Sequence, residues 1–153
     1  TIQMMEHMNF HISIYGIGAK KNQDRKAGNR KMHDNDIISY NVNLIKKNIS
    51  VKTYNNEQKK YKTIYFSEVL THSFRCIIDY NIISDICESG IQKFIQDNQK
   101  ELIKLKGFCW PINYNTEQEL IDFLITNKYK YIEINSSYGM FGWVIAKSYE
   151  IRE

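Results

Sequence analysis

Four histidines are the side chains for which chemistry is easiest to propose: His7, His11, His33 and His72. None of them belongs to a HExxH zinc motif or to a recognisable catalytic triad. His7 and His11 are four residues apart, which on a helix would place two zinc ligands on one face. Residues 9–15 alternate between apolar and polar types, however, and this pattern predicts a strand, where the two histidines lie far apart. We therefore expect ordinary packing for the histidines and no metal site.

Acid–base pairs can also be proposed in the middle of the chain, such as His72 with Asp79 or Arg75 with Glu68. A small hydrolase would use His72 and a neighbouring acid in this way. Any chain of this length offers such pairs, so they do not indicate an active site. We expect a protein that is not an enzyme and that binds no cofactor.

The stretch SSYGMFGWVIAK, from Ser136 to Lys147, combines two serines, two glycines and three aromatic residues. A serine nucleophile or a phosphate-binding turn would need a GxSxG motif or a glycine-rich loop before a helix, and neither is present. We interpret the stretch as a turn, whose glycines permit unusual backbone conformations, followed by a core strand. Its aromatic residues are expected to cover an edge of the core: Tyr138, Phe141 and Trp143.

The cysteines are odd in number and lack metal-binding spacing: Cys76, Cys87 and Cys109. This usage favours reduced thiols in a cytoplasmic protein over a disulfide framework. Cys109 lies beside Trp110, no neighbouring residue marks it as reactive, and we expect it to be packed. A chain of 153 residues, 42% of them hydrophobic, is typical of one folded domain. No apolar run approaches the roughly 20 residues that span a bilayer, so we expect no membrane partner.

The net charge of +4 is unevenly distributed along the chain. Residues 1–66 contain twelve Lys or Arg against five acidic residues, whereas residues 67–153 contain nine against twelve. Half of the first twelve lie in residues 20–31, inside a segment that we interpret as a basic flexible loop at about 16–35. Cations of this kind can contact phosphates, which makes a nucleic-acid-binding module the alternative function. The segment has no aromatic residue between Lys20 and Lys31 for base stacking, and a solvated loop is the simpler interpretation.

Hydrophobic periodicity predicts a single α+β domain over residues 1–153. We expect an antiparallel β-sheet of about five to seven strands, with two helices in the C-terminal half packed on one face. The predicted strands cover residues 9–15, 36–45, 49–53, 62–66, 73–79, 129–135 and 143–151.

Capping signals predict where the two helices begin. Ser89 and Gln92 form a capping box for the first helix, which is expected to begin at about Gly90 and to end before Gly107. A second capping box, formed by Thr116 and Glu119, predicts a helix over residues 117–126.

Several different short motifs are found in the second part of the chain. They are HSFR at residues 72–75, NIISDI at 81–86, FI at 94–95, WPI at 110–112, ELIDFL at 119–124, SSYG at 136–139 and GWVIAK at 142–147. Together they resemble the small bacterial YxiG-like family, over about residues 36–151. The most specific pieces are the Trp-Pro turn and the SSYG and GWVIAK ending, whose signature positions are Trp110, Pro111, Ser136, Ser137, Gly139, Gly142 and Trp143.

The resemblance implies a candidate immunity protein of a polymorphic toxin system. Such a protein binds one cognate toxin stoichiometrically and blocks its active site or its docking surface, so it needs no catalysis. Interfaces of this kind rely on complementary charge and a few aromatic anchors. The residues expected to supply these anchors are Tyr114, Tyr129, Tyr131 and Tyr138.

Overall fold

The computed structural model describes residues 32–153, which form six antiparallel strands and three α-helices. The strands are β1 (Asn35–Asn43), β2 (Asn48–Asn55), β3 (Lys60–Arg75), β4 (Ile82–Ser89), β5 (Lys130–Tyr138) and β6 (Phe141–Arg152). The helices are α1 (Ile91–Asp97), α2 (Gln99–Leu105) and α3 (Glu117–Thr126), and a short 3₁₀ turn, Lys106–Phe108, follows α2. The strands and helices confirm the predicted mixed α+β class.

Three sequence predictions lie outside the described residues: the strand at 9–15, the histidines His7 and His11, and residues 16–31 of the basic segment. The last four residues of that segment, 32–35, are described, and two of their side chains are buried. Met32 lies in the core, and Asn35 is fully buried at the start of β1. The intervening His33 is exposed beside Asp34, with 2.7 Å between its Nδ1 and Asp34 Oδ2.

The sheet closes into a barrel in the order β1-β2-β3-β6-β5-β4. It consists of two three-stranded meanders, β1-β2-β3 and β4-β5-β6, joined by a long β3–β6 ladder on one side. On the other side β4 meets β1 through only two residue pairs, Asn35 with Ile83 and Asp36 with Ile82. The strand count agrees with the prediction, but closure of the sheet was not predicted.

Alternation along the strands places one set of apolar side chains inside the barrel. This inner core is formed by Met32, Ile49, Val51, Ile64, Phe66, Ile83, Ile86, Ile132, Ile134, Val144 and Ala146. Next to this core, buried polar side chains of β1 and β2 bond to each other: Asn55 Nδ2 donates to Asn35 Oδ1 at 2.7 Å, and Asn35 Nδ2 donates to Thr53 Oγ1 at 3.1 Å. Their hydrogen bonds offset the cost of burying amide and hydroxyl groups.

A second apolar cluster lies outside the barrel. It joins residues of the three helices to outward side chains of β5 and β6: Ile91, Phe94, Ile95, Leu102, Leu120, Leu124, Tyr131, Trp143 and Ile145. None of the helices in residues 32–153 is long and apolar enough to cross a membrane.

Two predicted elements differ from the structure. Residues 73–79 do not form a separate strand, because β3 continues to Arg75, and residues 82–89 form strand β4, for which no strand was predicted. The predicted first helix is two helices, since the backbone leaves helical geometry at Asn98 (φ −113°, ψ 15°). Asn98 closes α1 by donating from its backbone and side-chain nitrogens to the carbonyl of Phe94. Residues 32–153 therefore contain three α-helices, where two were predicted.

Candidate functional site

A buried polar cluster lies between the outer face of β5 and helix α1. Alternation along β5 directs Ile132 and Ile134 into the barrel and Tyr131 and Glu133 towards α1. Glu133 is 8% exposed, accepts a hydrogen bond from Ser89 Oγ at 2.5 Å, and lies 2.6 Å from Lys93 Nζ. This carboxylate therefore links β4, β5 and α1.

Lys93 extends the cluster along α1. It also pairs with Asp97, one helical turn later, and the Tyr131 hydroxyl donates to Asp97 Oδ2 at 3.2 Å. Lys93 thus bridges two carboxylates, those of Glu133 and Asp97. The aromatic ring of Tyr131 lies against the Lys93 ammonium group on the barrel side.

The electrostatics of this cluster hold Glu133, Lys93 and Tyr131 in their ordinary charge states. Burial alone would raise the pKa of Glu133, but hydrogen bonds from Lys93 and Ser89 and the Lys93 charge outweigh it, and the pKa is lowered. Burial acts to lower the pKa of Lys93, but its bonds to Asp97 and Glu133 leave that pKa raised. Burial and the nearby carboxylates raise the pKa of Tyr131. All three shifts move titration away from neutral pH, whereas a general acid or base titrates near it.

A cleft of about 220 Å³ opens beside this cluster, at the junction of the strands with α1 and α2. Its charged and aromatic lining comprises Arg75, Asp97, Glu133, Tyr131, Phe141 and Trp143. Arg75 is already paired with Glu101 at 3.2 Å, and its Nε donates to Ser73 Oγ. The cleft therefore presents compensated charges against aromatic walls.

An exposed apolar surface, which we call the end surface, lies at the end of the barrel next to the cleft. It consists of Ile77, Ile78, Tyr80, Tyr138 and Phe141, each between 43% and 55% exposed. The first three belong to the β3–β4 loop and the last two to the β5–β6 hairpin. The rings of Tyr80 and Tyr138 contact each other, with centroids 6.2 Å apart.

Asn81 fixes the two parts of the end surface relative to each other. Its side-chain oxygen accepts hydrogen bonds from the backbone nitrogens of Ile78 at 3.2 Å and Met140 at 2.8 Å. Its Nδ2 donates to the carbonyl of Ile78 at 2.7 Å. Because Asn81 is only 6% exposed, this link is protected from water, and the end surface is held in one arrangement.

The glycines of the SSYG and GWVIAK motifs are required by this geometry. Gly139 has φ +74°, and a Cβ there would lie 2.3 Å from Asn81 Oδ1. A Cβ on Gly142 would lie 1.9 Å from the carbonyl oxygen of Ser73 on the paired strand β3. Ser136 closes the turn by donating to the carbonyl of Gly139 at 3.1 Å, and Ser137 is exposed.

The remaining signature residues belong to the helical side of the barrel. Trp110 precedes Pro111 through a cis peptide bond, and its Nε1 donates to Thr71 Oγ1 at 3.1 Å. Its ring lies 6.4 Å from that of Trp143. Trp143 is 9% exposed and packs as expected, but Phe141 and Tyr138 do not cover the core, because both face solvent.

The four tyrosines predicted as anchors do not come together. Tyr138 is on the end surface and is 55% exposed, whereas Tyr131 is 2% exposed in the outer cluster. Tyr114 is half-buried, and its hydroxyl donates to the carbonyl of Leu102 at 3.3 Å. Tyr129 is half-buried, and its ring stacks on that of Phe123. Lys147 Nζ lies 5.7 Å from the centre of the Tyr129 ring. Only Tyr138 therefore presents a largely free ring.

A second exposed surface, which we call the tyrosine face, lies on the outer side of β2, β3 and the end of β6. It consists of the exposed residues Lys52, Tyr61 and Arg152 and the half-buried residues Tyr54 and Tyr65. Lys52 Nζ lies 4.6 Å from the centre of the Tyr61 ring, and the Arg152 guanidinium lies 4.6 Å from that of Tyr65. Sequence analysis missed this face because its residues come from three strands.

The acid–base pairs considered from the sequence are not formed. Glu68 pairs with Lys147 at 2.8 Å and not with Arg75. His72 packs against Phe74, with ring centroids 5.3 Å apart, and burial lowers its pKa. Within residues 32–153 no group of three or more metal-ligating side chains is present. Cys109 is exposed, contrary to the prediction, because it ends the 3₁₀ turn in left-handed backbone at the surface.

No protein-family model matches this chain, and no curated protein or solved structure is significantly similar to it.

Proposed function

We propose that the protein is a non-catalytic binding protein of the YxiG-like type, an immunity protein that acts in the bacterial cytoplasm by stoichiometric binding of a cognate toxin. The observation that carries this proposal is the end surface. Five large apolar or aromatic side chains stand exposed there on two loops that Asn81 ties together. Exposed apolar side chains grouped in this way are characteristic of protein–protein interaction sites.

The end surface has the properties of an interface centre. Aromatic residues contribute most of the binding energy at such centres, and a rigid arrangement reduces the entropy that is lost on binding. The neighbouring Arg75–Glu101 pair is half-exposed and can exchange partners with charges on a toxin. Tyr138, the predicted anchor that lies on this surface, belongs to the SSYG motif on which the family resemblance depends.

The polar cluster supports binding over catalysis. Its carboxylates and lysine are paired with each other, and the pKa of Glu133 is lowered while that of Lys93 is raised, so both lie further from neutrality than usual. Such groups stabilise a fold and position its elements, but they are poor proton donors or acceptors near pH 7.

We further propose that the helices form one layer on the outer face of β5 and β6, as the sequence predicts for its helices. Support comes from the outer cluster, in which Leu124 is fully buried together with Trp143 and Ile145. Leu124→Ala should then lower the free energy of unfolding by about 2–5 kcal/mol, as measured by urea denaturation. A loss close to zero would contradict this packing. Ile125→Ala, next in the sequence and 53% exposed, is the matched control.

Co-expression with candidate toxins tests the main proposal. The protein should rescue growth and should co-elute with its toxin in size-exclusion chromatography. Tyr138→Ala should weaken the complex by about tenfold or more, as expected for an anchor residue. Tyr61→Ala is a matched control, because Tyr61 is equally exposed, lies on a strand and contacts another tyrosine. The proposal fails if the protein neither rescues growth nor binds a toxin, or if both variants bind the toxin like the wild type.

A second candidate function, binding of single-stranded nucleic acid, is favoured by the tyrosine face. Aromatic rings next to cations on a barrel surface provide stacking for bases and charge for phosphates. Here Tyr61→Ala should lower the affinity for an oligonucleotide several-fold and Tyr138→Ala should not. The two functions thus predict opposite results for the same pair of variants. Absence of binding at moderate salt would exclude the nucleic-acid function.

A further inference from the structure

Among residues 32–153, strand β1 has a neighbouring strand along one edge and is mostly open along the other. Strand β1 pairs with β2 from Asn35 to Asn43, with a register shift at Ile38, but with β4 only at Asn35 and Asp36. From residue 38 to residue 43 its second edge has no neighbouring strand among residues 32–153. Residues 38–41 are all exposed, and no prolines or charged side chains, which commonly protect strand edges, occur between 38 and 43.

The two most exposed large aliphatic residues of the described chain continue from this edge. Leu44 is 78% exposed and Ile45 is 94% exposed, at the turn that follows β1. Ile38, on the other end of the open edge, is 54% exposed. An unpaired strand edge flanked by apolar side chains at both ends is a template for another strand.

We propose that this edge pairs with the same edge of a second copy, so that β1 and its symmetry mate continue the sheet across a two-fold axis. If the axis passes through Asn41, Tyr40 of one copy lies opposite Val42 of the other. Both side chains are on the inner face, since their β2 partners are Val51 and Ile49. The same register brings Leu44 beside Ile38 of the second copy. Pairing therefore covers the apolar side chains at both ends of the edge.

Charge favours a second copy over a different protein as the occupant. Residues 38–43 are uncharged, in a chain in which 25% of the residues are charged and the net charge is +4. Two identical strands are placed directly opposite each other in such a pair, and like charges there would repel. A neutral strand avoids this repulsion, whereas interfaces with other proteins are commonly steered by complementary charge. A two-fold interface also uses one self-complementary patch, which this edge provides.

Light scattering of the full chain after size-exclusion chromatography, over a wide concentration range, tests the proposal. The measured mass should rise from 18.2 kDa towards twice that value. Asn41→Lys should shift the dissociation constant upward by about tenfold or more, because it places two lysines opposite each other at the axis. Ser50→Lys is the matched control: Ser50 is the ladder partner of Asn41 on β2, a strand paired on both sides, and this variant should dimerise like the wild type.

Thermal unfolding followed by circular dichroism verifies that both variants fold. Amide hydrogen exchange adds a local measurement, since protection of residues 38–43 should increase with protein concentration in the wild type and not in Asn41→Lys. A wild type that stays monomeric at every concentration overturns the proposal. This includes the case in which residues 1–31 occupy the edge, which would protect it independently of concentration. A dimer that Asn41→Lys leaves unchanged overturns it as well.

Discussion

Glu133 links three elements through one carboxylate, because Ser89 on β4 and Lys93 on α1 both bond to it from opposite sides. Its position on β5 leaves it 8% exposed, where an uncompensated charge would be strongly destabilising. The cluster therefore holds α1 in place on the barrel, and it fixes the part of the cleft that its residues line.

The lowered pKa of Glu133 has a consequence for stability at acid pH. A folded-state pKa below the ordinary value of 4.5 means that the folded protein binds this proton less readily than the unfolded chain. The stabilisation is therefore fully present above that value and is lost as the pH falls through the folded pKa. Glu133→Gln should cost about 1–3 kcal/mol at neutral pH, and its difference from the wild type should shrink as the pH falls below 4.5.

Urea denaturation at several pH values measures this difference. The exposed Glu57→Gln is the control for the loss of one acidic side chain. A difference between wild type and Glu133→Gln that stays constant with pH would show that the carboxylate charge does not stabilise the fold.

Gly142 is the residue at which the backbone leaves no room for a side chain. An added Cβ would lie 1.9 Å from a carbonyl oxygen of β3, and neither strand can move without disturbing the long β3–β6 ladder. Gly142→Ala should lower the free energy of unfolding by about 3 kcal/mol or more. Gly107→Ala, which meets no atom within 4 Å, should change it little, and equal effects of the two variants in denaturant titrations would refute this account.

At the scale of elements, local signals were sufficient for α3 and insufficient for α1. Helix α3 has the bounds predicted from its capping box, and the Glu119 backbone nitrogen donates to Thr116 Oγ1 at 3.2 Å. The matching box at Ser89 is not formed, because Gly90 is the N-cap and the Ser89 hydroxyl bonds to Glu133. The competing partner lies 44 residues away in the chain, so no local pattern contains it.

Replacement of the cap tests the contribution of a correctly predicted local signal. Thr116→Ala removes an acceptor from the first turn of α3 and should lower the free energy of unfolding by about 1 kcal/mol. Thr126→Ala, at the exposed end of the same helix, should have a smaller effect. Chemical denaturation of both variants provides the measurement, and a larger loss at Thr126 would contradict the capping role.

At the scale of the whole molecule, the strands that pair locally could be predicted and the closure could not. The β2–β3 and β5–β6 hairpins follow from alternation and turn residues, as expected from the sequence. Closure depends on two residue pairs between β1 and β4, Asn35 with Ile83 and Asp36 with Ile82, which are far apart in the sequence. Likewise, the turn that carries Tyr138 was recognisable, but Asn81, which fixes it, and the tyrosine face depend on residues that are distant in sequence.

The net charge of the chain comes from residues 1–31 and not from the residues that the structure describes. Residues 1–31 contain six Lys or Arg against two acidic residues, so they carry the entire net charge of +4, and residues 32–153 contain fifteen of each sign. If nucleic acid binds, stacking on the tyrosine face and attraction by the N-terminal cations should therefore be separable. Salt acts on the second contribution, because phosphate contacts release counterions.

Salt titration of a labelled oligonucleotide measures this separation. Neutralising four cations should reduce the slope of log affinity against log salt by up to about 3, since each phosphate contact to a single strand contributes about 0.7. The four replacements, all to Gln, are at Lys20, Lys21, Arg25 and Lys26. Tyr61→Ala should lower the affinity at every salt concentration without changing the slope, because stacking releases few ions. Replacement of Lys100 and Lys104 on α2 by Gln is the control for charge alone, and an equal slope change in that control would show that attraction to the nucleic acid is not localised in the N-terminal segment.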